Sequence, residues 1–267
     1  MSTVVALARA CHLGPTVAVT SIALMLGVSV GLSAGLLILV GGAVLVGQLS
    51  IGWSNDWLDF ARDVAAGRPD KPTATGSVTP ETLRLASFCT AGASVPLSLL
   101  SGWSGIWNLL LVASGWAYNL GLKRSIWSPA PYAVGFGALP IYVTDVSGES
   151  TQWWLTVAGG LLGVAAHFAN AAPDVTQDRA LGVLGLPQRI GARGSLVVAL
   201  VLLGCAGGLL LAQAGLSGSS LALGAVVVAL PVIGGSALVV RGRIGRPAFT
   251  VVMLAAVIDV ALLVVAA

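Results

Sequence analysis

Between Asn55 and Asp63 the chain reads N-D-W-L-D-F-A-R-D, which sets Asn55, Asp56, Asp59 and Asp63 at helical spacing. Residues three and four apart share a helix face, so Asp56, Asp59 and Asp63 form a ladder of carboxylates with Asn55 beside it. Carboxylates crowded on one face repel one another unless a cation lies between them. An all-oxygen donor set points to a hard ion such as Mg2+, which keeps several waters and commonly shares a bound phosphate. A second acidic pair, Asp174 and Asp178, stands at i,i+4 after another apolar run. Residues 55–63 and 174–178 are therefore the two acidic motifs that the rest of the chain must position.

The elements available to position them are apolar. The chain has 267 residues, of which 57% are hydrophobic and 9% charged, with a mean hydropathy of +0.96. A soluble domain carries roughly 25% charged residues. A membrane helix needs about 20 mostly apolar residues, and this sequence supplies one such run after another. Lone strands cannot satisfy their backbone in lipid, so the expected class is all-α, a polytopic membrane protein with a single domain over 1–267. Nine spans are expected, near 14–31, 35–60, 82–100, 103–121, 130–145, 153–173, 193–213, 218–239 and 247–266. Residues 1–12 read as a short leader before an uncleaved first helix, because no convincing cleavage site follows. Cys11, Cys89 and Cys205 lack metal-ligand or C-x-x-C spacing and read as small membrane residues. A net charge of +3 without a basic, aromatic-laced stripe excludes a nucleic-acid partner, and nothing points to an obligate protein partner.

The charges test this topology. All 13 Lys and Arg fall at the amino terminus or around a loop after an even-numbered span. Cytoplasmic loops collect basic residues, so the amino terminus is expected in the cytoplasm and the carboxyl terminus outside, as in a bacterial inner membrane. Trp103, Trp107, Trp153 and Trp154 then fall at the outer ends of spans 4 and 6, where an interfacial aromatic belt belongs. Both acidic motifs fall at cytoplasmic ends, of spans 2 and 6. The chain thus reads as two four-helix halves plus a ninth helix, each half giving one carboxylate cluster to the same face. Asp70 and Glu81 suit plain solvated loop charges. The first set does not, because Trp57, Leu58 and Phe60 interleave it. Asp174 and Asp178 taken alone suit solvated charges as well, and it is the pairing of two clusters on one face that argues against that reading.

These residues carry a resemblance. N-D-W-L-D-F-A-R-D resembles the N-D-x-x-D-x-x-x-D signature of UbiA-family intramembrane prenyltransferases. The segment D-V-T-Q-D-R-A-L-G-V-L-G-L-P-Q-R-I-G is similar to their second signature, D-x-x-x-D with a Leu-Pro-x-Arg-x-Gly tail that falls on Leu186, Pro187, Arg189 and Gly191. Arg68-Pro69 and the Tyr118 to Lys123-Arg124 segment are similar too. Thr176-Gln177 and Gly185 depart from the common pattern without removing a ligand. The resemblance implies a nine-helix bundle around a lateral cavity, with Mg2+ and an isoprenyl diphosphate at its cytoplasmic mouth. On that pattern Asn55, Asp59 and Asp63 hold one Mg2+ with Asp56 in or beside the set, and Asp174 and Asp178 hold a second. Arg68, Lys71, Lys123, Arg179 and Arg189 are the candidates to contact the diphosphate, Lys123 and Arg68 foremost. Each of these cations is also accounted for by positive-inside topology alone.

The function implied is transfer of an isoprenyl group, an alkyl group other than methyl, from an allylic diphosphate to a hydrophobic, aromatic or lipid-like acceptor. Tyr118, Asn119, His167 and Asn170 lie near the inner ends of spans 4 and 6 and are candidates to line the acceptor pocket. His167 and Asn170 are equally placed to hydrogen-bond a neighbouring helix. Asp259, alone in the last span, is a functional suspect by position, and an interhelical hydrogen bond explains it as well. Two rival readings are a membrane terpene cyclase of the same family and a cation-coupled transporter. The transporter calls for acids near mid-membrane on broken helices, whereas these cluster at the rim.

Overall fold

Short capped turns join apolar helices in this protein, whose computed structural model describes residues 3–67 and 71–267. Arg68 and Asp70 lie outside the described residues. In chain order the helices are α1 (Thr3–Ala10), α2 (Leu13–Ser29), α3 (Ala34–Ala65), α4 (Pro80–Leu99), α5 (Gly105–Leu120) and α6 (Ala130–Ser147). They continue with α7 (Trp153–Ala171), α8 (Val175–Ala180), α9 (Leu186–Gln213), α10 (Gly218–Val240) and α11 (Arg246–Ala266). No strand occurs among the described residues. Every segment expected to be an apolar helix is one, and the short helices α1 and α8 are additions to that expectation.

Helicity and membrane crossing are separate matters. Among the described residues, five helical stretches are long and apolar enough to cross a bilayer, and a sixth arises if α1 and α2 form one span bent by 72°. They are α3, α7 with α8, α9, α10 and α11. The shortfall against nine has physical causes. The 16 residues of α5 reach about 24 Å at 1.5 Å per residue, short of the roughly 30 Å hydrocarbon core. Glu81, Arg84 and a series of Ser and Thr dilute α4. α6 runs unbroken for 18 residues, and Pro131, Pro140, Thr144 and Asp145 within it lower its hydropathy.

Two compact units divide the chain. One holds residues 1–121 with 142–149, the other 122–141 with 150–267. The expected ninth helix is not a separate appendage, because α11 packs on α9, α10 and α7 inside the second unit. The carboxyl end of α6 belongs to the first unit. In that unit α3 is the spine, packed by α2, α4 and α5; in the second, α9 is the spine. Ser33 caps α3 by accepting from the Leu36 amide. With 32 residues α3 is about 48 Å long. An apolar run entering lipid near Ala34 is therefore spent by about residue 54, leaving its acidic last turns at the rim.

Trp103 and Trp153 are 86% and 65% exposed, as an interfacial belt requires. Trp154 is not part of such a belt: only 7% of it is exposed. Consecutive residues on a helix point about 100° apart, so Trp154 turns into the unit while Trp153 turns out.

Candidate active site

The end of α3 concentrates buried acid. Asp56, Asp59 and Asp63 are 1%, 3% and 2% exposed, which is costly for carboxylates unless each is paired or binds a cation. The chain supplies part of the compensation itself. Arg62 donates from Nη2 to Asp59 Oδ2 at 2.7 Å and lies 3.8 Å from Asp63 Oδ1. Asp56 Oδ1 receives Lys71 Nζ at 2.5 Å and His12 Nε2 at 2.8 Å. Asp63 Oδ2 is left buried with no hydrogen-bond partner among the described residues. Nor do three such ligands converge on a single point there.

Two covers bring those counter-ions in. One is α1, which lies on α3 through Trp53 Nε1 donating to the Leu7 carbonyl at 2.9 Å. The other is the turn from Lys71 to Thr79. Both close in a small apolar cluster of Ala6, Ala10, Val78 and Leu83 with Leu7, Trp53 and Trp57 packed against it. The α1–α2 joint fits because α3 has Gly52 there: a Cβ would stand 2.9 Å from Cys11 Cα and closer still to its carbonyl. At the joint His12 takes a left-handed conformation, φ 56° and ψ 61°. That conformation is rare outside glycine, and here it carries the imidazole to Asp56.

Asn55 is aimed by a neighbour. Asn119 on α5 is 4% exposed and donates from Nδ2 to the Ile51 carbonyl and Ser54 Oγ, each at 2.9 Å. Its Oδ1 then accepts from Asn55 Nδ2 at 3.0 Å. With its NH2 committed, Asn55 keeps its carbonyl oxygen for another partner. Asn119, expected at an acceptor pocket, is therefore an orienting group in the first unit; Tyr118 beside it is half-buried.

The second unit treats its acids differently. α7 stops at Ala171, and a 3-10 turn over Ala172–Asp174 containing Pro173 leads into α8. Asp174 is exposed and Asp178 half-buried. Asp178 Oδ2 accepts from Gln188 Nε2 at 2.8 Å. Arg179 donates to the Gln188 carbonyl and, at 3.1 Å, to that of Arg189; Arg189 Nε donates to the Leu184 carbonyl at 2.8 Å. These two arginines brace the turn between α8 and α9. Gly191 breaks α9 at φ 84° and ψ 167°, a left-handed position that favours glycine. The helix begins at Leu186, ahead of the apolar span expected from 193, because its first turns carry Gln188 and Arg189.

Lys123 is 5% exposed in the turn before α6. Its carbonyl lies 2.5 Å from where a Cβ on Gly185 would be, so the departure at Gly185 is what lets the two segments touch. Ser128 ties the same place together and is absent from the sequence expectations. Its Oγ accepts from the Leu186 amide at 3.0 Å and lies 3.0 Å from His167 Nε2. The Ser-Pro step ahead of α6 was the available signal, since such steps initiate turns. His167 is 3% exposed, with the Tyr132 ring stacked on it at 4.6 Å. It is thus an interhelical brace rather than an open pocket wall, whereas Asn170 is exposed. Asp259 is 2% exposed in α11, its Oδ2 without a partner among the described residues.

A buried, all-oxygen donor set with one orphaned carboxylate oxygen suits a hard divalent cation. Known proteins bear on the fold and the family. The sequence model of the UbiA prenyltransferase family matches residues 14–262. No curated protein matches the chain in sequence. Among solved structures, the apo UbiA homolog from Aeropyrum pernix K1 superposes with a TM-score of 0.72 at 18% identity, covering 93% of this chain and 96% of that one. A digeranylgeranylglyceryl phosphate synthase gives 0.71 at 17%, covering 100% and 98%. The Archaeoglobus fulgidus UbiA homolog bound to DMAPP and Mg2+ gives 0.70 at 14%, covering 96% and 98%.

Proposed function

This integral membrane chain belongs to the UbiA prenyltransferase family, and we propose on that footing that it moves an isoprenyl group from an allylic diphosphate to a hydrophobic acceptor in a Mg2+-dependent reaction. The observation that carries the proposal is the buried acidic end of α3, where Asp63 Oδ2 has no partner among the described residues. Asn55, Asp59 and Asp63 are assigned to one Mg2+, with Asp56 beside them. Asp174 and Asp178 are assigned to a second, on the strength of the second family signature. When bound, these ions neutralise the negative charge that builds on the departing diphosphate.

The chain's own groups do the rest. Asn119 holds the Asn55 NH2, which leaves the Asn55 carbonyl oxygen as the donor atom for a cation. Lys71 and Lys123, with Arg68, contact the diphosphate; Arg179 and Arg189 keep the α8–α9 turn in shape and are secondary candidates. The allylic C–O bond breaks with both electrons leaving on the diphosphate. The acceptor's electron pair then closes a C–C or C–O bond at the cationic carbon, and the acceptor loses a proton. Apolar helix faces exclude water from that carbon. Positive-inside charge supports an orientation with the amino terminus and both motifs in the cytoplasm and the carboxyl terminus outside.

The test is diphosphate release from a panel of prenyl diphosphates by protein in nanodiscs with Mg2+. Asp59→Asn and Asp174→Asn should each abolish it. Unchanged turnover in both variants rejects the proposal, and release without acceptor that yields cyclic hydrocarbon moves the chain to the cyclase reading.

A further inference from the structure

Asp56 takes both of its ion-pair partners from outside α3. His12 comes from the α1–α2 joint and Lys71 from the turn after α3, and both address one oxygen, Oδ1. Lys71 Nζ and His12 Nε2 are 3.1 Å apart. Lysine has only donors, so Lys71 donates to Asp56 Oδ1 and also lies within hydrogen-bond reach of the His12 ring nitrogen, dividing its donors between two partners. Lys71 is 13% exposed and His12 37%, so both sit at the edge of the buried patch rather than sealed within it. Lys71 lies in the turn after α3 whereas His12 is fixed at the α1–α2 joint, so of the two partners Lys71 is the one that can leave Asp56.

We infer that Lys71 is a transferable counter-ion. With no divalent cation it neutralises Asp56. When the α3 end is loaded, the metal's charge takes over that task, and the released ammonium is handed to the diphosphate oxygens. His12 stays on Asp56, holding the carboxylate in place once Lys71 has gone and keeping α1 docked. The device removes two costs: no carboxylate stands buried and uncompensated before loading, and no loose cation has to be recruited afterwards. The inference rests on the reading of the α3 end as the cation site.

Lys71 and Lys123 are the chain's two lysines, which makes the exchange directly observable. The native protein in nanodiscs is labelled with an amine-reactive reagent at fixed pH, and each lysine's rate is followed by peptide mass spectrometry. Millimolar Mg2+ alone should speed Lys71 labelling several-fold; a non-reactive prenyl thiodiphosphate added next should slow it again. An independent arm measures Mg2+ binding without substrate. Lys71→Gln should tighten it about tenfold, since a competing charge is removed, yet weaken Mg2+-supported binding of the thiodiphosphate. His12→Asn, which keeps a short polar group tolerant of the left-handed turn, should leave Lys71 release intact and speed hydrogen exchange in residues 4–11. A Lys71 rate indifferent to Mg2+, or Mg2+ binding weakened in Lys71→Gln, overturns the inference. If Mg2+ frees Lys71 but no prenyl diphosphate binds, the exchange stands and the proposed function falls.

Discussion

The two acidic motifs look alike as sequence and are built in opposite ways. At the end of α3 the carboxylates ride one regular helix, are almost wholly buried and rely on ion pairs. Around α8 the acids sit on a short helix after a 3-10 turn, Asp174 exposed and Asp178 half-buried, and the nearby arginines spend donors on backbone carbonyls. The first cluster carries the electrostatic cost of burial, offset in part by Arg62, Lys71 and His12. In the second, Asp174 faces solvent and Asp178 accepts from the Gln188 side chain. Burial, more than acid count, separates a patch that demands a cation from one that can merely accept one.

Substitutions sharpen that contrast. The largest effect belongs to Asp59→Asn with Asp63→Asn. Losing several kcal/mol of charge stabilisation at 1.36 kcal/mol per decade lowers kcat by about three orders of magnitude or more, read as diphosphate release. Next is Asn119→Ala, which frees Asn55 to turn its amide. Loss of such an orienting partner costs about 10–100-fold in metal affinity, read from the Mg2+ dependence of substrate binding. Gly185→Thr drives a side chain into the Lys123 carbonyl and Ser128 and should destabilise by about 1–3 kcal/mol, read as a lowered Tm in detergent. The smallest effect is the most diagnostic. Without Mg2+, Asp63→Asn removes part of a buried charge and should raise Tm. Asp178→Asn replaces the carboxylate that Gln188 bonds and should leave Tm level or lower it. Equal signs for the two would erase the contrast between the clusters.

Much of this was legible in the sequence. The carboxylate ladder survives as one face of α3 because i,i+3 and i,i+4 spacing needs only a helix, and each expected apolar run is helical. Apolar length alone does not give nine crossings, because α4, α5 and α6 are short or diluted by polar residues. The roles of Asn119, His167 and Ser128 were hidden for another reason. Each is defined by a partner far along the chain, 64 residues away for Asn119 and Asn55 and 39 for His167 and Ser128. Local spacing marks a residue as polar in an apolar helix but leaves its partner unnamed. His12 was hidden further, since a left-handed turn at a non-glycine residue has no sequence signature. Arg189 matches the family tail and Arg179 follows the second acidic motif, and the donors of both also serve the turn that carries them.

The most direct measurement is divalent-cation binding at the end of α3, followed by electron paramagnetic resonance with Mn2+ standing in for Mg2+ and a prenyl thiodiphosphate present. The native protein should bind Mn2+ with its spectrum altered by the diphosphate, and the Asp59→Asn, Asp63→Asn double variant should lose that signal while remaining folded. Undiminished Mn2+ binding in the double variant would contradict the account.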